Sequence, residues 1–363
     1  MAKTRFVLKT DIFTENAATQ RTRRGVFFLA GFASTFGPRS IRVMPRTILI
    51  DTDTASDDAV ALIMALRSPQ VQVAAITVVA GNVPLEQATR NALVTVELCG
   101  ADVPVYAGAE KPLTRELEPA TWFHGMDGLG DCGYAPSHRT PEAKHAVDAI
   151  VETVQANPGI EVITLGPLTN LAMALQRAPE IVKNVSRCVV MGGAPCCEGN
   201  VTPAAEFNIW VDPEAARIVM LSGLPIELVG WQLSRYEAVI DAAEIEQISA
   251  LKTPLAEFAV RCNGRAREAY LEQTGEHGLS LPDPVTMAVL LQPELVLESS
   301  EHFVEIETES QLTRGMTVVD RLDVTGDSRN AAVWEKTRAV RKAKIIWKID
   351  VPGWKRLLMQ SLV

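Results

Sequence analysis

The sequence predicts an α/β fold: a mainly parallel, twisted sheet with helices on both faces, plus helical insertions. Three observations carry this. From Arg46 onward, short β-branched runs alternate with segments of helical spacing, the pattern of a parallel sheet with crossover helices. No stretch approaches the ~18–20 apolar residues of a membrane-spanning helix. The residues directly after each strand are unusually polar, and in such sheets the ligand binds beyond the carboxyl ends of the strands.

Arg46–Asp51 is an apolar run ending in acid, a buried strand. Asp57–Leu66 sets Ala59, Leu62, Ile63 and Leu66 on one side of an amphipathic helix. Gln70–Val79 is a β-branched strand, Pro84–Cys99 a helix and Val103–Tyr106 a short strand. Residues 107–141 are rich in Gly and Pro and read as a loop. Ala146–Ala156 is then a helix, Ile160–Leu165 a strand, Thr169–Arg177 a helix and Arg187–Met191 a strand. Pro213–Ser222 is a helix with proline in its first turn, followed by the strand Ile226–Val229. Residues 242–275 read as purely helical, and Pro284–Leu291 as one more helix. Strands at 302–307, 316–320 and 344–350, then a helix from 353, complete the chain. No repeat or low-complexity linker interrupts it, so residues 46–363 read as a single domain.

Of 363 residues, 47% are hydrophobic and 22% charged, the balance of an ordinary globular chain rather than a disordered one. Acidic residues outnumber basic ones, 44 to 35, for a net charge of −9. That excludes a general nucleic-acid binder, which needs a basic face, and suits a partner that is a cation or an uncharged small molecule. The cysteines at 99, 132, 188, 196, 197 and 262 lack zinc spacing and read as reduced thiols of a cytoplasmic protein. Residues 1–45 differ from the rest, carrying +6 against −15 for the remainder. They read as an N-terminal extension, with Met44 as an alternative start. Thr22-Arg23-Arg24 before the apolar run Gly25 to Ala33 leaves a twin-arginine-like export signal as the other reading.

The first strand runs into Asp51-Thr52-Asp53-Thr54-Ala55-Ser56-Asp57-Asp58. Carboxylates this dense repel one another unless protons or a cation intervene, and oxygen-only ligation favours a hard ion such as Ca²⁺ or Mg²⁺. An EF-hand is excluded, because Ser56 stands where the loop glycine belongs and Leu62 where its final glutamate belongs. Asp57 and Asp58 also open a helix, where free N–H groups favour negative charge. Other strand ends give Gly81-Asn82, Gly166-Pro167-Leu168-Thr169-Asn170 and Met191-Gly192-Gly193. Gly199-Asn200, Glu206-Phe207-Asn208 and Leu281-Pro282-Asp283-Pro284 follow. Amides and carboxylates in such company suit recognition of a polyhydroxyl group.

Taken in order, these motifs and the late Leu312-Thr313-Arg314-Gly315-Met316-Thr317 strand resemble the inosine-uridine-preferring nucleoside hydrolase family, whose hallmark is the DxDxxxDD box. The resemblance implies Ca²⁺-dependent hydrolysis of the N-glycosidic bond of ribonucleosides, by direct attack of a metal-bound water activated by Asp53. It implies a metal held by Asp53, Asp58, Asp283 and the carbonyl of Leu165, with Asp51 behind them orienting the set. It implies Asp57, Asn82 and Asn208 at the ribose diol and Asn200 and Glu206 at the 5′-hydroxyl, with Met191 and Phe207 beside them. A homodimer or homotetramer is implied by resemblance alone.

The leaving-group end departs from the family. Where its best-known members place a proton-donating histidine before the last metal aspartate, this chain has Pro282, which donates nothing. His124, in the glycine-rich Trp122-Phe123-His124-Gly125 loop, and His277 are the candidate acids. Trp122, Phe123, Tyr270 or Trp231 could stack on the base, so purine or pyrimidine preference stays open. Two other readings remain. One is a non-catalytic Ca²⁺-dependent ribose or nucleoside binder. The other is a haloacid-dehalogenase-like Mg²⁺ phosphatase using Asp51 as nucleophile.

Overall fold

The computed structural model describes residues 45–363. The extension or export reading of residues 1–45 therefore lies outside the described residues, Pro45 apart. The strands are β1 (Arg46–Thr52), β2 (Val71–Val78), β3 (Val105–Ala107), β4 (Ile160–Thr164), β5 (Val185–Met191), β6 (Ile226–Val229), β7 (Val296–His302), β8 (Val304–Ile306), β9 (Thr317–Val319) and β10 (Ala343–Ile349). An eight-stranded sheet runs in the order β3-β2-β1-β4-β5-β6-β10-β7. Every pairing in it is parallel except β10 with β7. The chain winds outward from β1 to β3, then returns to lay β4 against the other side of β1. The crossovers diverge there, which opens a crevice at the carboxyl ends of β1 and β4.

Alternation along the strands divides the core between the two faces. Ile48 and Ile50 pack with the helices Ser56–Arg67 and Pro282–Leu291 on one face. Leu49 packs with the helices Ala146–Ala156, Thr169–Arg177 and Pro213–Met220 on the other. The helix Ser56–Arg67 is not the half-exposed element its spacing predicts. Ser56 to Ala65 are all buried, as are Asp283 to Leu291 in the helix that packs against it. Helices buried all round are interior ones, and this pair points both N-termini at the crevice.

The opposite end of the sheet is polar in a different way. The Arg46 guanidinium donates to both Glu161 carboxylate oxygens at 2.9 and 2.8 Å. Arg187 donates to Glu227 at 2.6 Å, and Lys344 reaches the same carboxylate at 3.3 Å. The two arginines also donate to the last carbonyls of Pro282–Leu291: Arg46 to Leu290 and Leu291 at 3.0 and 2.9 Å, Arg187 to Val289 and Leu290 at 3.1 and 3.2 Å. A helix end with unpaired carbonyls inside the fold needs such donors.

The predicted architecture holds, with local differences. The helical stretch 242–275 is three helices, Ala242–Ala250, Pro254–Cys262 and Gly264–Thr274. Pro254 sits at the second start with Thr253 capping Ala256 N–H at 3.1 Å. Residues 107–141 contain the helical turn Thr121–His124. The strand β7 and the helix Ala331–Arg338 went unanticipated, and the strands expected at 302–307 and 316–320 are β8 and β9 of a separate antiparallel pair. The helix expected over Pro284–Leu291 begins at Pro282, because proline suits the first helical position.

Candidate active site

The acidic box is built by a strand that stops and a helix that starts. On β1, Asp51 pairs in register with Thr77 of β2 and Thr164 of β4. One of its carboxylate oxygens accepts from Thr77 Oγ1 at 2.6 Å and Asn170 Nδ2 at 2.9 Å. Asp53 follows in the loop, its Oδ2 accepting the Asn82 backbone N–H at 2.7 Å. A Cβ on Gly81 would lie 2.1 Å from Asp53 Oδ2, and one on Gly166 2.5 Å from Oδ1. Only glycine leaves room for this carboxylate. Asp58, in the helix's first turn, accepts from Thr52 Oγ1 at 2.6 Å and from Ala55 N–H at 2.9 Å.

From far along the chain, the helix Pro282–Leu291 delivers Asp283. One oxygen each of Asp57, Asp58 and Asp283 lies within 4.8 Å of the others, and all three residues are buried. Asp53 Oδ1, Asp57 Oδ1 and Asp51 Oδ2 are buried without a hydrogen-bond partner among the described residues. Burial first, then the charge of Asp58, raises Asp53 well above the usual carboxylate range. Burial and the charges of Asp57, Asp58 and Asp53 do the same to Asp283. Burial pushes Asp57 and Asp58 up to about 6 and Asp51 up to about 7. Desolvated like charges in one cage call for a proton or a cation.

Above the cage lies a cavity of about 700 Å³, its open mouth included. Asp57, Asn82, Leu165, Met191, Asn200, Glu206, Asn208 and Asp283 line it, together with the rings of Trp122, Phe123, His124, Trp231 and Tyr270. Glu206 caps the short helix Phe207–Val211, accepting from Asn208 N–H at 2.8 Å and Ile209 N–H at 3.2 Å, and takes Gly193 N–H at 2.7 Å. Burial still raises it to about 6. Asn208 Nδ2 donates to the Leu165 carbonyl at 2.7 Å, and Asn200 Oδ1 accepts the Phe207 N–H at 2.9 Å. A larger groove runs beside the C-terminal helix Val351–Ser361, but no carboxylate cage opens into it.

The structure thus brings together most of the residues singled out from sequence, with three qualifications. The compact carboxylate trio contains Asp57 where the resemblance implied Asp53. Asp51, Asp53 and Asp58 do not line the cavity but lie beneath it, Asp51 held by Thr77 and Asn170. His277 is exposed and absent from the cavity wall, whereas His124 is on it. His124 Nδ1 lies 2.9 Å from Ser56 Oγ and 3.8 Å from Asp57, and burial lowers it to about 4. Sequence reading passed over Gln273, Ser234 and Ser280, all cavity residues; they carry no motif, and only the packing of distant loops reveals them.

Residues 48–352 match the inosine-uridine preferring nucleoside hydrolase family across nearly the whole described chain. The chain belongs to that family. A nucleoside hydrolase is an N-glycosyl hydrolase, so the phosphatase and non-catalytic readings both give way. Among relatives, the pyrimidine-specific ribonucleoside hydrolase RihA of Shewanella sp. (strain MR-7) is 40% identical over 88% of this chain and 96% of its own. An uncharacterised protein of Schizosaccharomyces pombe is 42% identical over 75% and 88%. Among solved structures, a plant nucleoside hydrolase superposes with a TM-score of 0.80 at 31% identity, covering 88% of this chain and 99% of its own. A purine-preferring ribonucleoside hydrolase from Gardnerella vaginalis gives 0.78, also at 31%, covering 87% and 98%. This nucleoside hydrolase carries no helix, among its described residues, long and apolar enough to cross a membrane.

Proposed function

We propose that the protein hydrolyses the N-glycosidic bond of ribonucleosides with Ca²⁺ as cofactor, water attacking the sugar directly with Asp53 as base. The observation that carries this is the buried cage of Asp57, Asp58 and Asp283 beside a cavity lined both by Asp57 and Asp283 and by aromatic side chains. The residues fit a hard cation: the donors are all oxygens, and Asp53 Oδ1 and Asp57 Oδ1 are buried without partners. Asp53, Asp58, Asp283 and the Leu165 carbonyl would hold the ion, with Asp51 fixing the arrangement from below. When bound, such an ion neutralises the cage, acidifies a water and accepts a sugar's vicinal hydroxyls.

This chain's own groups supply the rest. Asp53 takes the proton of the attacking water, a role that suits a carboxylate locked between Gly81 and Gly166. Asp57, Asn82 and Asn208 hold the ribose diol, with Asn200 and Glu206 at the 5′-hydroxyl and Met191 and Phe207 closing that side. The carboxylates also stabilise the oxocarbenium-like sugar as the base departs. His124 serves the leaving base. Its burial keeps the imidazole neutral at pH 7, so it offers an N–H hydrogen bond rather than a full positive charge. Pyrimidine nucleosides are the expected substrates, by likeness to the RihA proteins, and a homodimer or homotetramer the expected assembly. The test is a panel of uridine, cytidine, inosine and adenosine assayed for free ribose with and without chelator. Activity lost on chelation and restored by Ca²⁺ supports the reading; ribose release indifferent to chelation overturns it.

A further inference from the structure

Two aromatic residues of the cavity wall, Trp231 and Tyr270, are fastened by a charge network that the proposed chemistry leaves unused. Arg235 lies just after β6, its side chain only 10% exposed, and it does not line the cavity. Its guanidinium stands 4.7 Å over the Trp231 ring and 4.7 Å over the Tyr236 ring. One nitrogen donates to Glu276 at 2.6 Å, and the other pairs with Glu198. Glu276 accepts in turn from the Tyr270 hydroxyl. The Trp231 indole N–H donates to the Glu198 carbonyl at 2.8 Å, and Gln273 bonds to the Asn200 carbonyl.

Trp231 and Tyr270 come from separate stretches of chain, yet both are tied within one or two contacts of a single cation. Ordinary packing could seat two aromatic rings without any ion. A nearly buried arginine bridging two carboxylates is costly to desolvate and strongly directional, so it fixes relative position more than it adds stability. The planar fork is what allows two carboxylates and two ring faces to be met at once.

We propose that Arg235 is a positioning residue that sets the placement of Trp231 and Tyr270, and through them the fit of the leaving base, without touching substrate. This rests on the reading that ribose binds at the carboxylate end and the base at the aromatic end. Free ribose then reports the first end alone, and a nucleoside reports both.

The experiment compares wild type, Arg235→Met and Arg235→Lys. KM and kcat for uridine and inosine are measured beside the inhibition constant of free ribose, in saturating Ca²⁺. In Arg235→Met we expect nucleoside KM to rise about 10-fold and the uridine-to-inosine ratio of kcat/KM to shift by about 3-fold or more, with ribose inhibition within about 2-fold of wild type. Arg235→Lys keeps the charge but loses the fork and falls between. A ribose constant that rises in step with nucleoside KM would mean general damage and overturns the assignment, as does a nucleoside KM and base ratio that do not move. If Arg235→Met does not fold, Glu276→Gln cuts only the Tyr270 arm and is expected to shift the base ratio in the same direction; an unmoved ratio there overturns the proposal. A wild type that releases ribose from no nucleoside overturns the functional reading itself, a result distinct from either.

Discussion

At the scale of single residues, near-identical carboxylates are given different duties by their surroundings. Asp58 is bonded at both oxygens, by a threonine and a backbone N–H, whereas Asp51 and Asp53 each keep one oxygen without a partner. Asp51 is pinned by a threonine and an asparagine below the cavity, and Asp53 has the space that Gly81 and Gly166 leave it. Asp53→Ala is therefore expected to lower kcat by about 10²–10⁴-fold, the range of a lost general base, and, because the same carboxylate would hold the ion at the ribose diol, to weaken ribose inhibition as well; steady-state kinetics on uridine check it. His124→Ala is expected to slow uridine cleavage but leave p-nitrophenyl riboside nearly unaffected, because p-nitrophenolate departs without help. Equal losses on both substrates would remove His124 from the leaving-group role. The acidic box was legible because its members are local in sequence. The space that frees Asp53 was not, since Gly81 and Gly166 read as ordinary turn glycines until three chain segments converge. His277 illustrates the opposite failure: nearness in sequence to Asp283 does not bring it to the cavity, because after Gln273 the chain rejoins the cavity wall only at Ser280 and His277 stays exposed.

At the scale of elements, the helix Pro282–Leu291 is held at both ends. Its first turn carries Asp283, and its last carbonyls are bonded by Arg46 and Arg187 from the far end of the sheet. Arg187→Met removes one partner of Glu227, leaving Lys344 on that carboxylate, and two bonds to the helix's last carbonyls, a change expected to cost about 1.5–3 kcal/mol. Denaturant unfolding in chelator is expected to show that loss, and Ca²⁺ affinity, read by calorimetry, to fall with it. Buried strands such as β4 and β5 were easy to read, being short apolar runs between turns. The edge strand β7 was not, because Val296-Leu297-Glu298-Ser299-Ser300-Glu301-His302 is mostly exposed and polar, as a guarded sheet edge tends to be. Its antiparallel pairing with β10 needs no crossover helix, so the alternation used to find the other strands passed over it.

At the scale of the whole molecule, the acidic cage couples proton binding to folding. Asp57 and Asp58 sit at about 6 and Asp51 at about 7 in the folded chain, against about 3.9 for an unfolded aspartate. Between those values the folded state holds more protons than the unfolded one. Stability without metal is thus greatest below about pH 4, as far as these groups are concerned, and declines as pH rises through about 6–7. Thermal unfolding in chelator is expected to give a higher Tm at pH 5.5 than at pH 8. Added Ca²⁺ should restore the Tm at pH 8 and do little at pH 5.5, where protons compete for the same oxygens.

The cage is assembled from helices far apart in the chain. Asp58 belongs to the first helix and Asp283 to one of the later ones, so the pocket for an ion exists only once the late helix has docked. A cation arriving during refolding finds no binding place in the early species and cannot act as a seed. Its influence falls on the reverse journey, where it must leave before the late helix can part from the first. Stopped-flow traces should accordingly show Ca²⁺ lowering the unfolding rate many-fold while the refolding limb hardly moves, so that the ion works as a latch on a door already shut.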